Sequence, residues 1–286
     1  MASSLQAPGL AEAGPRPHAL IKPTRRWHEL DLRELWGHRD LLVVLALRDL
    51  QLRYKQTLLG VCWAVIQPLV PMLLFAVVLG NFLSVPGDGV PYPLFAYAGL
   101  VLWSYFAGAV TASANSLVSH SYMLGKVYFP RLILPCAPVL SGLADFAIAS
   151  VLLLGMMLWY GVPLTPALAL VPVVAAVTAL LAFAVGALLA SLNVLFRDLR
   201  HALPLAVQLW MFATPIVYPP SVVPARWRWA LALNPAAGLV GAFRAALFGL
   251  PVAWDELAAA AAAALVLLAV AAVVFLRMER FLADYA

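Results

Sequence analysis

Arg53-Tyr54-Lys55-Gln56-Thr57-Leu58-Leu59-Gly60-Val61-Cys62-Trp63-Ala64-Val65-Ile66-Gln67-Pro68 joins a charged segment that cannot enter hydrocarbon to an apolar run that belongs there. Arg53 and Lys55 are held at an anionic membrane surface, where each basic residue contributes roughly 1 kcal/mol. Gly60 permits a bend or a close backbone approach. Trp63 is a headgroup-level residue type, and Pro68 can kink the helix that follows. This junction sets the direction of the first membrane span, and later spans follow by alternation.

Composition agrees. Of 286 residues, 64% are hydrophobic and 11% charged, with a mean hydropathy of +0.94, whereas soluble domains carry about 25% charged residues. The chain reads as an all-α, polytopic membrane protein. Its net charge of +5 is not interleaved with aromatics on one polar face, which argues against nucleic acid as a partner. Cys62 and Cys136 fall at the cytosolic ends of spans and lack the His or Cys neighbours of a metal site.

Residues 1–26 read as a flexible cytosolic tail rather than a signal peptide, since no apolar core directly follows a basic start. Residues 27–56 read as amphipathic interface helices. Within them Val43, Leu47, Leu50 and Tyr54 share one face and Arg48, Asp49, Gln51, Arg53 and Lys55 the other, with Asp49 and Arg53 an i,i+4 pair. Residues 57–286 form the transmembrane domain. Five apolar runs, 61–83, 94–118, 137–160, 166–192 and 256–276, reach the roughly 20 residues that a span needs. A sixth, 201–218, is interrupted by Pro204 and Pro215. The 222–250 stretch is apolar but broken by Asn234-Pro235, Gly238, Gly241 and Arg244. It reads as a re-entrant helical hairpin in the outer leaflet, since a seventh span would put Arg277 and Arg280 outside. Six spans with both termini cytoplasmic result.

The second span carries the clearest polar pattern. Tyr97, Ser104, Tyr105, Gly108, Thr111, Asn115 and Ser119 share one side of its helical wheel. Such a stripe suits a wet or carbohydrate-lined path, or it joins helices through small polar side chains. Trp210, Phe212 and Tyr218 either extend the path or form an interfacial belt. Asp145 is the one acid deep in a span. It is a functional marker by default, yet it has no partner in the spans for a proton relay, so a structural hydrogen bond is an equal reading. The aromatic cytosolic loops at 124–135 and 193–200 read as plugs for another protein's groove or as interfacial anchors. No phosphate loop, zinc motif or nucleophile elbow occurs, so the chain is not expected to act as an enzyme or to bind a cofactor.

Five sequence patches point to a family: Arg53-Tyr54-Lys55…Leu59-Gly60…Trp63…Pro68; Lys126…Tyr128-Phe129-Pro130-Arg131; Phe196-Arg197-Asp198; Tyr218-Pro219; and Asn234-Pro235. In order and spacing they resemble ABC-2 type permeases, in particular those exporting lipid-linked polysaccharides (O-antigen, capsule, teichoic acid). Thr57 departs slightly, since many such permeases have Ser there. The resemblance implies a homodimer in the bacterial inner membrane, with two copies of a separate ABC ATP-binding subunit that holds the ATP and Mg²⁺. It implies a coupling role for Lys126, Tyr128, Phe129, Pro130, Arg131, Arg197 and Asp198, and an interface role for Arg53, Tyr54 and Lys55. Trp63, Tyr97, Ser104, Tyr105, Thr111, Asn115, Trp210 and Tyr218 would line the polymer path. Arg226, Trp227, Asn234, Pro235 and Arg244 would belong to a periplasmic gate. An exporter of a drug or free lipid, or an ion-coupled transporter dependent on Asp145, are the competing readings.

Overall fold

A computed structural model describes residues 36–55, 57, 59–124, 129–196 and 198–284. Helix α1 (Arg39–Tyr54) precedes α2 (Cys62–Phe75), which runs on as a π-helical segment, Ala76–Phe82. Then come α3 (Tyr92–Ser119), α4 (Ile133–Trp159) and α5 (Val171–Leu195), the last entered through a 3₁₀ turn, Pro166–Leu170. Next are α6 (Leu199–Ala213), α7 (Arg228–Ala232), α8 (Pro235–Phe248) and α9 (Trp254–Asp284). Five of these stretches are long and apolar enough to cross a membrane: 62–82, 92–119, 133–159, 166–195 and 254–278. The expected architecture of apolar spans, an N-terminal helix outside them and a bent pair before the last span is therefore present.

Helix α3 is the axis of the bundle. Of its most apolar window 78% is buried, against 17% for α2, so α3 is wrapped by its neighbours while α2 keeps a free flank. Gly60, at φ +47°, makes the turn from α1 into α2 in a region that disfavours residues with a Cβ.

The stretch expected as a sixth span, 201–218, is helical only as far as Ala213. Helix α6 has 15 residues, or about 22 Å at 1.5 Å per residue, short of the roughly 30 Å hydrocarbon core. Pro215 is the cause, because the residue before proline is pushed out of the helical region. Thr214 is extended (φ −104°, ψ 137°). Residues 214–217 then continue as buried, non-helical backbone, tolerated where protein surrounds it. Helices α7 and α8, with the 3₁₀ turn before α7, meet at a 93° bend. Asn234 caps α8 by accepting from the Ala236 amide at 3.1 Å, and Pro235 takes the first helical position, where its missing N–H costs nothing.

Helix α1 also differs from its sequence reading. Its inward face is Leu41, Leu42, Leu45 and Ala46, packed with Leu117, Ile133, Leu134 and Phe275. Val43 and Leu47 are exposed, which leaves a second apolar stripe for an interfacial position. The expected Asp49–Arg53 pair is not made. Asp49 pairs with Arg48 at 3.4 Å, while Arg53 reaches a carboxylate on α4. Arg48 also donates to His120 Nε2, leaving His120 Nδ1 to donate to the Ser116 carbonyl at 2.9 Å.

Candidate transport cleft and the clasp above it

A cleft of ≈ 980 Å³ opens between α2, α3, α4 and α6, with the C-terminal end of α1 at its edge. Trp63, Gln67 and Pro68 come from α2, Ser104, Tyr105, Thr111 and Asn115 from α3, Asp145 and Phe146 from α4, and Gln208 and Met211 from α6. Of the α3 stripe, Ser104, Tyr105, Gly108, Thr111 and Asn115 face the cleft. Trp63 of α2 joins Ser104, Tyr105, Thr111 and Asn115 of α3 in lining it. Gln67 and Gln208 were missed in the sequence; a lone amide in an apolar run was their one signal.

Three expected lining residues lie elsewhere. Tyr97 is fully buried and donates to the Ala149 carbonyl at 3.3 Å. It shares a face with Ser104, but the outermost α3 residue on the cleft is Val101, because packing closes the cleft before Tyr97. Trp210 donates to Asn234 Oδ1 at 2.9 Å and meets Phe106 edge-on at 5.1 Å. Tyr218 donates to the Phe212 carbonyl at 3.0 Å. Part of the stripe also joins helices. Asn193 on α5 donates to Asn115 Oδ1 (3.0 Å) and to the Ala114 carbonyl (3.1 Å). Interhelical polar contacts of this kind contribute about 0.6 kcal/mol on average and up to about 1.7. Asn193→Ala is expected to lower thermal stability modestly in a melting assay, leaving the complex intact.

At the edge of the cleft, Asp145 accepts from both Arg53 and Tyr54. One residue of α4 therefore ties down the end of α1. Burial, and then the bond to Asp145, push the Tyr54 phenol above the ordinary tyrosine range, so it stays protonated and donates. The acid that stood alone in the sequence has a countercharge and a second donor. This is the structural bond weighed from the sequence, supplied from outside the spans.

Above the cleft, Arg244 clasps the broken backbone. It is 5% exposed and lies inside α8. Its Nη1 donates to the Pro215 carbonyl at 2.8 Å, its Nε and Nη2 to Phe95 at 3.3 and 3.1 Å, and Nη2 also to Ile216. The guanidinium carbon stands 3.5 Å from the centre of the Phe95 ring. Tyr92 donates to Val217 at 2.6 Å, and Asn234 Nδ2 to Thr214 Oγ1 at 2.9 Å. Gly99 makes room for the clasp. A Cβ there would meet Arg244 Nη2 at 2.5 Å and the Ile216 carbonyl at 2.8 Å. Arg226 and Trp227 are exposed, with Trp227 stacked on Trp229 at 6.5 Å.

The loops at 124–135 and 193–200 divide. Phe129, read as an exposed plug, is 5% exposed and packs with Leu45, Ala46, Ile133 and Phe275. The correction has a simple cause: α1 folds over the loop, and the ring fills the gap beneath it. Pro130 and Arg131 are half-buried, while Asp198 is exposed. Phe196 and Tyr122 are 58% and 75% exposed. Lys126, Tyr128 and Arg197 lie outside the described residues.

A bundle of apolar spans with a polar, aromatic cleft and a buried clasp on its broken backbone fits a membrane permease. The chain belongs to the ABC-2 type transporter family, whose profile matches residues 40–248. It is 33% identical over 255 residues to the O-antigen export system permease protein RfbA of Myxococcus xanthus, covering 87% of this chain and 97% of that protein. Two Klebsiella pneumoniae proteins of the same name are 30% and 28% identical over 209 residues, 72% of this chain and 79% of each.

Proposed function

We propose that the chain is the permease subunit of an ATP-driven exporter that carries a lipid-linked polysaccharide of the O-antigen type across the bacterial inner membrane. The observation that carries this reading is the cleft. Tryptophan and tyrosine faces, amides and hydroxyls line it, which is the chemistry that stacks on and hydrogen-bonds to sugars. The likeness to O-antigen export permeases supports the same cargo.

Two copies face each other across α2 and α6. On these helices Val70, Leu73, Leu74, Leu205 and Leu209 are more than half exposed, an apolar flank that suits a second subunit beside the cleft. Two copies of an ATP-binding subunit hold ATP and Mg²⁺. They dock on the cytosolic loops through Tyr122, Pro130, Arg131, Phe196 and Asp198, joined by Lys126, Tyr128 and Arg197. Helix α1 lies on the inner surface, where Arg48, Arg53 and Lys55 favour the cytoplasmic side, and both termini share that side because α6 and the non-helical backbone of 214–217 together make a sixth crossing. Arg226 and Trp227 border the outer mouth, above Asn234 and Pro235.

The test is co-expression with the ATP-binding subunit encoded beside it, followed by purification and mass determination. Two copies of each chain, with an ATPase rate that rises on adding lipid-linked glycan, are expected. An ATPase indifferent to glycan removes the cargo assignment, and failure to form a complex removes the docking assignment.

A further inference from the structure

The cleft carries one cation and one anion, and they bind each other. Among its described lining residues Arg53 and Asp145 alone are charged, and they form an ion pair with side chains 35% and 24% exposed. Tyr54 occupies the other carboxylate oxygen. Each charge is compensated in place before a passing chain meets it. The remaining polar groups, such as Gln67, Ser104, Thr111 and Gln208, are neutral donors and acceptors.

Pathways that conduct anions or phosphates present rings of unpaired Arg or Lys, because a charge entering a low-dielectric path must be compensated there. Among its described lining residues this cleft presents no such group. We propose that Asp145 is a specificity-determining residue. By neutralising Arg53 it keeps the cleft uncharged, so the path selects an uncharged, hydroxyl-bearing polysaccharide over a polyanionic one. The inference rests on the polysaccharide-export reading and narrows its cargo. The signal was visible only in part: Asp145 stood out in the sequence, but its countercharge lies 92 residues away on a helix outside the spans.

The test uses the permease with its ATP-binding partner in proteoliposomes. Two glycans of equal length on one carrier lipid are compared: a homopolymer of an uncharged hexose, and a polymer of a uronic acid. The neutral polymer is expected to half-stimulate the ATPase at a concentration about tenfold lower, a difference of about 1.4 kcal/mol. Asp145→Asn, which keeps an acceptor for Tyr54 and leaves Arg53 unneutralised, is expected to shrink that ratio severalfold. The double variant Arg53→Gln with Asp145→Asn restores a neutral cleft and is expected to restore the ratio. It also serves as the control if Asp145→Asn alone yields too little protein. Equal stimulation by both polymers of the wild-type complex overturns the inference and leaves polysaccharide export standing. So does a ratio that Asp145→Asn leaves unchanged. Stimulation by neither polymer overturns both.

Discussion

Arg244→Met is expected to give the largest loss of stability of any single substitution in the half of the bundle that holds the bent pair. The side chain keeps its approximate length and apolar stem, so little packing volume is lost. What disappears is every donor to the carbonyls of Phe95, Pro215 and Ile216. Phe95 lies in α3 and retains a helical partner, but Pro215 and Ile216 belong to non-helical backbone. A buried polar group left without a partner costs about 1–3 kcal/mol, so these two alone amount to about 2–6 kcal/mol. Thermal unfolding of the purified protein, followed by light scattering or intrinsic tryptophan fluorescence, checks this. Arg244→Lys is expected to recover only part of the loss, because one ammonium cannot reproduce a planar fork aimed at three carbonyls. A melting temperature unchanged in Arg244→Met would show that water or neighbouring groups satisfy the broken backbone and that the clasp is incidental.

Phe129→Asp is the second. With the ring packed against α1, α4 and α9, truncation of Phe in a packed core costs about 3–5 kcal/mol, and a carboxylate at that position adds its desolvation. Loss of folded permease is expected, in place of a well-folded permease that has lost its partner. Phe129→Leu, which keeps apolar volume, is expected to cost less than about 1.5 kcal/mol. Phe196→Asp supplies the contrast. That ring is 58% exposed, so the substitution is expected to leave the stability within about 0.5 kcal/mol of wild type while reducing retention of the ATP-binding subunit in a pull-down. If Phe129→Asp folds normally and Phe196→Asp retains its partner, the division of the two loops into a packed one and a docking one is wrong.

Much of this architecture is legible in order along the chain. Long apolar runs, the basic junction at Arg53 and Lys55, and the Pro and Gly breaks each act over one turn or one bilayer thickness, so each announces itself locally. The stripe from Ser104 to Asn115 is of the same kind, since helical periodicity alone puts those residues on one face. The periodicity carries no information on what packs against that face at each level. Hence Tyr97 was assigned to the path with Ser104, yet its hydroxyl is spent on α4.

The sequence by itself determined that this is a helical membrane protein, where its apolar spans run, that a bent pair precedes the last one, and which family it resembles. These follow from the cost of unpaired backbone and of charge in hydrocarbon, which every segment meets on its own. Only the tertiary structure decided which polar residues are available. Arg53 and Tyr54 converge on Asp145, Arg244 turns inward to the carbonyls that Pro215 leaves outside a helix, and Phe129 disappears beneath α1 while Phe196 stays out. Each joins residues far apart in sequence whose partners cannot be read from local pattern, because a buried charge or carbonyl is satisfied by whichever group the packing brings within reach.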